Sequence, residues 1–345
     1  MVVVEQSLKR TSQRLLVSSY RTNKKDDMDI EHTHPAKLLI SAVIACSALL
    51  DVAVGQDLNP DGIRGAEYES PRSSICPAPG APTMSTAEMF DTERQRMAPV
   101  KVFDNLYMLG MKTVTAWALT TSAGIILFDA MFHYNVAETV VDSLRQLGLD
   151  PDDIEYVIIS HAHNDHFGGA HYLQENFGTR IVMSVEDWEH MRSWPQVGSL
   201  APFPRDDIAV RDGYTITLGD TTVTLVATPG HTPGTLSPIF PVRDGNDVHH
   251  VGYWGASAVS FLPPAGIVQY MASADRFARI DSRIDVLLTN HPGIDGSLLK
   301  VAALERRRPG DPHPFVEGTS AFRQWMTEIH DCAGDVLEQK LRAAR

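Results

Sequence analysis

Residues 160–169, SHAHNDHFGG, place three histidines and an aspartate within six positions, directly behind the apolar run Tyr156-Val157-Ile158-Ile159. A short continuous apolar run of this kind reads as a buried strand. Side chains two apart in extended backbone project to the same side, so His161 and His163 can share one ion while Asp165 and His166 face a neighbouring position. Gly168 and Gly169 then let the backbone pass close to whatever those groups hold. The alternative is a polar loop that happens to be rich in histidine, and partners elsewhere in the chain have to decide between the two.

Such partners exist, and each follows a predicted strand. His231 comes after the strand over residues 222–227, through Thr228-Pro229-Gly230, and His291 after the strand over residues 284–289, through Asn290. Six nitrogen and oxygen donors at the C-terminal ends of three strands can converge on one edge of a pair of sheets. Neutral imidazole suits zinc, cobalt, nickel or iron, and a carboxylate adds charge balance. Asp129, ending a strand over residues 124–129, is placed to orient a histidine ligand from behind. Trp254 and Ser257 are candidate substrate contacts.

At 345 residues the chain can bury one large core or two ordinary ones. A formal net charge of −13 argues against a nucleic-acid partner, which requires clustered Lys and Arg. Residues 38–50, LLISAVIACSALL, form an apolar run behind Lys37, with Ala53 and Gly55 following. That pattern reads as a secretory signal cleaved before Gln56 and is too short to span a bilayer comfortably. The expectation is an exported, periplasmic or secreted protein with no membrane attachment after processing. If Cys46 leaves with the signal, Cys76 and Cys332 remain, either as one disulfide or as two buried thiols.

The organisation expected is a leader over residues 1–55, a Pro-rich extended arm over 56–99 and a regular domain over 100–345. Predicted strands cover residues 102–109, 114–121, 124–129, 154–160, 214–218, 222–227, 249–253 and 284–289. Predicted helices cover 137–147, 169–177, 185–192 and 321–345, with a short one near 86–97. Two similar halves of this kind suggest an α+β fold, its sheets face to face with helices outside.

The HxHxDH block at 161–166, TPGHTPGT at 228–235 and Asn290-His291-Pro292 together resemble the metallo-β-lactamase superfamily over residues 100–304. The resemblance implies a four-layer αββα sandwich with a dinuclear metal site at one edge. Carried over, His161, His163 and His231 would hold the first metal, and Asp165, His166 and His291 the second. The cofactors implied are two zinc ions, other divalent metals also being compatible. Glyoxalase-II-like and lactonase members place a bridging aspartate in a Gly-Asp step after the fifth core strand, where this chain has Ala256 in VGYWGAS at 251–257. The zinc-bound cysteine of HFHxD-type β-lactamases is missing as well. A six-ligand site without either is similar to subclass B3, whose members often carry a serine in this region; Ser257 stands one residue off that register.

The function implied is an exported dinuclear zinc hydrolase in which a metal-bound hydroxide opens a cyclic amide, a β-lactam first of all. Asp165 would bind metal and orient the nucleophile, and the partner would be a small-molecule substrate. The alternatives are a metal-dependent hydrolase of another ester, lactone or amide, an iron-dependent enzyme akin to persulfide dioxygenases, and a non-catalytic binding protein. Protein made in its natural host is expected to begin near Gln56 on N-terminal sequencing. An intact chain starting at Met1 or Met28 would overturn the export expectation.

Overall fold

The computed structural model describes residue 75, residues 85–193 and residues 202–345; the expected leader and most of the arm lie outside the described residues. Strands β1 (Val100–Phe103), β2 (Leu106–Gly110), β3 (Thr115–Thr121), β4 (Gly124–Phe128), β5 (Ile154–Ile158), β6 (Arg180–Ser184) and β7 (Ile208–Val210) form a seven-stranded sheet in sequential order. Strands β8 (Tyr214–Leu218), β9 (Thr221–Ala227), β10 (Leu236–Asp244), β11 (Asp247–Trp254) and β12 (Ile284–Thr289) form a five-stranded sheet in the order β12-β11-β10-β9-β8.

Period-two alternation sorts their side chains into three cores. Trp117, Leu119, Ile126 and Phe128 of β3 and β4 face the second sheet, where they pack with Leu225, Phe240, Val251, Tyr253 and Leu288. Their neighbours Ala116, Ala118, Ile125 and Leu127 share the opposite face with Val140, Leu144, Leu173 and Trp188 from helices outside the first sheet. On the second sheet, Val226, Trp254 and Leu287 turn outward. They pack against Tyr270 and Phe277 of the helix Pro264–Phe277 and against Phe322 and Ile329 of the helix Thr319–Ala343. The architecture is therefore the αββα sandwich that the resemblance implies. Each large side chain so buried contributes about 1.5–3 kcal/mol.

Several elements differ from the sequence expectation. The predicted strand over 102–109 is two antiparallel strands, β1 and β2, because the chain turns at Asp104-Asn105. β6, β7, β10 and the helix Pro264–Phe277 were not expected. Pro238 and Pro241 make β10 read as a non-strand, since proline cannot donate to a ladder. In the fold, β10 pairs with β9 over residues 236–239 and with β11 over 239–244. Each proline is thus registered against one neighbour alone, and its missing N–H costs no ladder bond.

Connectivity then positions the site. β4, β5 and β6 run parallel. The C-terminal ends of β4 and β5 therefore open at one edge, where irregular chain is free to carry chemistry.

Cys332 on the terminal helix is wholly buried and disulfide-bonded, its partner lying outside the described residues. Ile75, next in sequence to Cys76, is buried in the same core cluster. Reduction, or Cys332→Ser, is expected to cost about 2–5 kcal/mol of stability. Melting with and without reductant reads that loss. Free alkylation of Cys332 in the native, unreduced protein would rule the bond out.

Candidate metal centre

β5 leads straight into the histidine-rich loop. The Ser160 carbonyl accepts from Leu236 N–H at 2.8 Å, pinning the loop to the second sheet. His163 is still extended, with φ −101° and ψ 152°, and the short helix Asn164–Phe167 then presents Asp165 and His166. His231 sits between β9 and β10 behind Gly230, whose φ is +136°. A Cβ at Gly230 would lie 2.4 Å from the backbone nitrogen of Tyr270, so only glycine lets the turn sit against that helix. His291 follows β12, and Pro292 opens the helix Pro292–Asp295 behind it.

The fold brings the six residues into two groups: His161, His163 and His231 form one, and Asp165, His166 and His291 the other. Within each group the donor atoms lie within 4.8 Å of one another. Four of the histidines have Nδ1 beside an oxygen that only accepts. His161 Nδ1 donates to the Gly255 carbonyl at 2.8 Å, His231 Nδ1 to Ala258 at 3.0 Å and His291 Nδ1 to Thr113 at 2.8 Å. His166 Nδ1 donates to Asp129 Oδ2 at 2.9 Å, which puts Asp129 behind a histidine of the second group. In the neutral ring each Nε2 is then left with a lone pair, the arrangement that metal-bound histidines show. His161 Nε2 is buried with no hydrogen-bond partner, and His166 Nε2 faces only the Asp165 carboxylate, 3.2 Å away. An orphaned acceptor costs about 1–3 kcal/mol, and a divalent cation is the group that would satisfy it. The residues present fit a metal centre.

Electrostatics agree. Burial pushes His161 and His231 well below the ordinary histidine range and His163 down to about 4, keeping them in the neutral, ligating form. Burial also lowers His291. Burial alone would raise Asp165, but His166 beside it outweighs this and holds the carboxyl below the usual range. Burial likewise opposes a charge on His166, yet Asp165 at 3.2 Å and Asp129 push it up to about 10. A cation at that position would supply the charge and displace the proton.

Ser257 Oγ lies 3.2 Å from His231 Nε2, so this candidate does border the site. Trp254 does not. It is wholly buried, donates Nε1–H to Tyr270 Oη at 3.2 Å and packs 5.7 Å from the Phe277 ring. Strand alternation sends it outward to the helices and turns Tyr253 inward, where its hydroxyl donates to Asp129 at 3.1 Å. An aromatic that the sequence did not single out takes the surface role. Phe261 is 59% exposed, with its ring centroid 5.4 Å from His231 and 6.1 Å from His163. Asn290 was also missed, although it stands beside His291; its Nδ2 donates to Ser160 Oγ at 3.0 Å and Gly255 O at 3.2 Å.

The sequence matches the profile of the Metallo-beta-lactamase superfamily over residues 109–244. The structure is similar to that of BJP-1, a subclass B3 metallo-beta-lactamase of Bradyrhizobium japonicum. The TM-score is 0.64 at 27% identity, over 72% of this chain and 97% of that one. Sequence profile and fold thus both resemble the metallo-β-lactamase superfamily. Among curated proteins it is 37% identical to a hydroxyacylglutathione hydrolase of Acidiphilium cryptum over 87 residues, 25% of this chain and 31% of that protein. It is 33% identical to the N-acyl homoserine lactonase AttM of Agrobacterium fabrum over 103 residues, 27% of this chain and 38% of the relative. The chain therefore spans about a third of the length of these curated relatives.

If each three-donor group holds an ion, metal analysis is expected to find about two divalent ions per chain. His291→Ala should bring that to about one and keep residual turnover, since three protein ligands with an open position still make a working site. His161→Ala should collapse turnover. Two tightly held ions in His291→Ala would show that His291 is not a ligand.

Proposed function

We propose that the protein is a dinuclear zinc hydrolase that opens cyclic amides, with β-lactams as the substrate class. The observation carrying this reading is the pair of three-donor groups with Asp165 as their one carboxylate. Ala256, buried and apolar, stands where a bridging aspartate would supply a second. The likeness to BJP-1 over nearly all of that enzyme supports the same class.

Divalent ions held there would supply Lewis acidity toward a carbonyl oxygen and a water acidic enough to attack at neutral pH. The protein's part is to aim and to exclude. Asp165 Oδ2 lies 3.2 Å from His166 Nε2 and 3.8 Å from His291 Nε2, where it can also accept a hydrogen bond from the attacking water and orient it. Ser257 offers a hydroxyl to the polar end of a substrate, and the exposed ring of Phe261 offers apolar surface to a substituent. The buried walls of the histidine cluster keep bulk water from competing.

A second substrate class, lactones, is favoured by the sequence likeness to N-acyl homoserine lactonase. The leading run over residues 38–50 supports export as part of the same reading. Among the described residues no helix is long and apolar enough to cross a membrane.

The zinc-loaded protein is expected to hydrolyse β-lactams and to lose that activity on chelation. A kcat/KM screen over β-lactams, lactones and thioesters tests it. Turnover of lactones or thioesters without β-lactams would reassign the substrate. Turnover of none by protein holding two ions would overturn the hydrolase reading.

A further inference from the structure

The first group of ligands arrives on two separate loops, His161 and His163 after β5 and His231 between β9 and β10. A gap between loops so far apart in sequence has to be set by a tertiary contact. One buried carboxylate touches both. Asp187 lies in the first turn of the helix Val185–Ser193 and is wholly buried. Its Oδ2 accepts from Ala162 N–H at 2.9 Å, between His161 and His163. The same oxygen accepts from Thr232 Oγ1 at 2.7 Å, one residue past His231. Its Oδ1 accepts from Gly234 N–H at 2.7 Å.

We propose that Asp187 is the positioning residue of the three-histidine group, a buckle that fixes the distance between the loop of His161 and His163 and the loop of His231. The proposal rests on the metal-centre reading above. Three donors converging on two oxygens are the complement of a carboxylate, which only accepts. The buckle is itself held. Asp187 N–H donates to Ser184 Oγ at 3.0 Å, and Thr235 Oγ1 lies 2.7 Å from the Thr232 hydroxyl. Gly234 is required for the approach, because a Cβ there would fall 2.0 Å from Ser184 Oγ and 2.5 Å from Asp187 N.

The second group does not depend on this contact. His166 is braced by Asp129, and the turn before His291 by Asp295, whose Oδ2 accepts from Thr289 N–H at 2.6 Å. Loosening Asp187 should therefore weaken one ion and spare the other. Asp187→Asn keeps the size of the side chain but turns an NH2 group against a donor whichever way the amide is placed. Thr232→Val removes one donor and leaves the carboxylate, and Thr232→Ser restores the donor.

The test is zinc titration of the full chain, together with the visible spectrum of cobalt(II) bound at the three-histidine group. Asp187→Asn and Thr232→Val are expected to hold one of the two ions about 10- to 100-fold more weakly, with an altered cobalt spectrum. Thr232→Ser is expected to match the wild type. If Asp187→Asn does not fold, the two Thr232 variants decide. Wild-type affinity and spectrum in Thr232→Val, or equal weakening of both ions, would overturn the proposal while leaving the metal centre standing. A wild-type chain that binds no divalent ion would instead overturn the metal centre itself.

Discussion

The carboxylate of Asp129 holds the two sheets and the candidate site in one register. It accepts from Ser160 N–H at 2.7 Å, Ser160 Oγ at 2.8 Å, His166 Nδ1 at 2.9 Å and Tyr253 Oη at 3.1 Å. Ser160 and His166 belong to the loop after β5, and Tyr253 to β11 of the opposite sheet. One side chain therefore spans the sandwich at the edge where the histidines gather. Its backbone bears a cost for that position. Asp129 has φ 61° and Met131 φ 59°, in a region that costs a residue with a Cβ about 1–3 kcal/mol. The surrounding hydrogen bonds offset the strain, among them Ala130 N–H to His166 O at 2.7 Å and Gly169 N–H to Met131 O at 3.0 Å.

The same solution is used at each loop that delivers a histidine. Asp129 braces the His166 end of the first loop, Asp187 joins that loop to the one carrying His231, and Asp295 closes the turn before His291. Burial raises the Asp187 and Asp295 carboxyls, and the hydrogen bonds they accept, with Lys300 facing Asp295, counter it. Loops at the ends of strands are the mobile part of a sandwich. Tying each one to a buried acceptor makes a preorganised cluster out of chain that would otherwise be loose.

How much of this can be read from the chain depends on how local the cause is. HxHxDH is legible because its geometry is set over six residues by extended backbone and one short helix. Thr228-Pro229-Gly230 is legible because proline and glycine announce the turn that presents His231. β10 is hidden by Pro238 and Pro241, since a strand able to tolerate them depends on which side each neighbouring strand begins and ends. Trp254 reads in the sequence as a candidate substrate contact, yet the fold buries it among the helices. Composition names an aromatic near the site, but only register shows that Tyr253 faces inward and Trp254 outward.

The sequence by itself determined the identity of the six donors, their order and the α+β alternation of the elements that carry them, because spacing and turn chemistry act between near neighbours. The tertiary structure alone decided that Nδ1 of four histidines is already engaged, and that Asp187 and Phe261 belong beside them. Asp187 reaches Ala162 across 25 positions and Thr232 across 45. A contact of that range leaves no local pattern in a single chain. It exists only once the helix after β6 has packed and both loops have been brought to the same carboxylate.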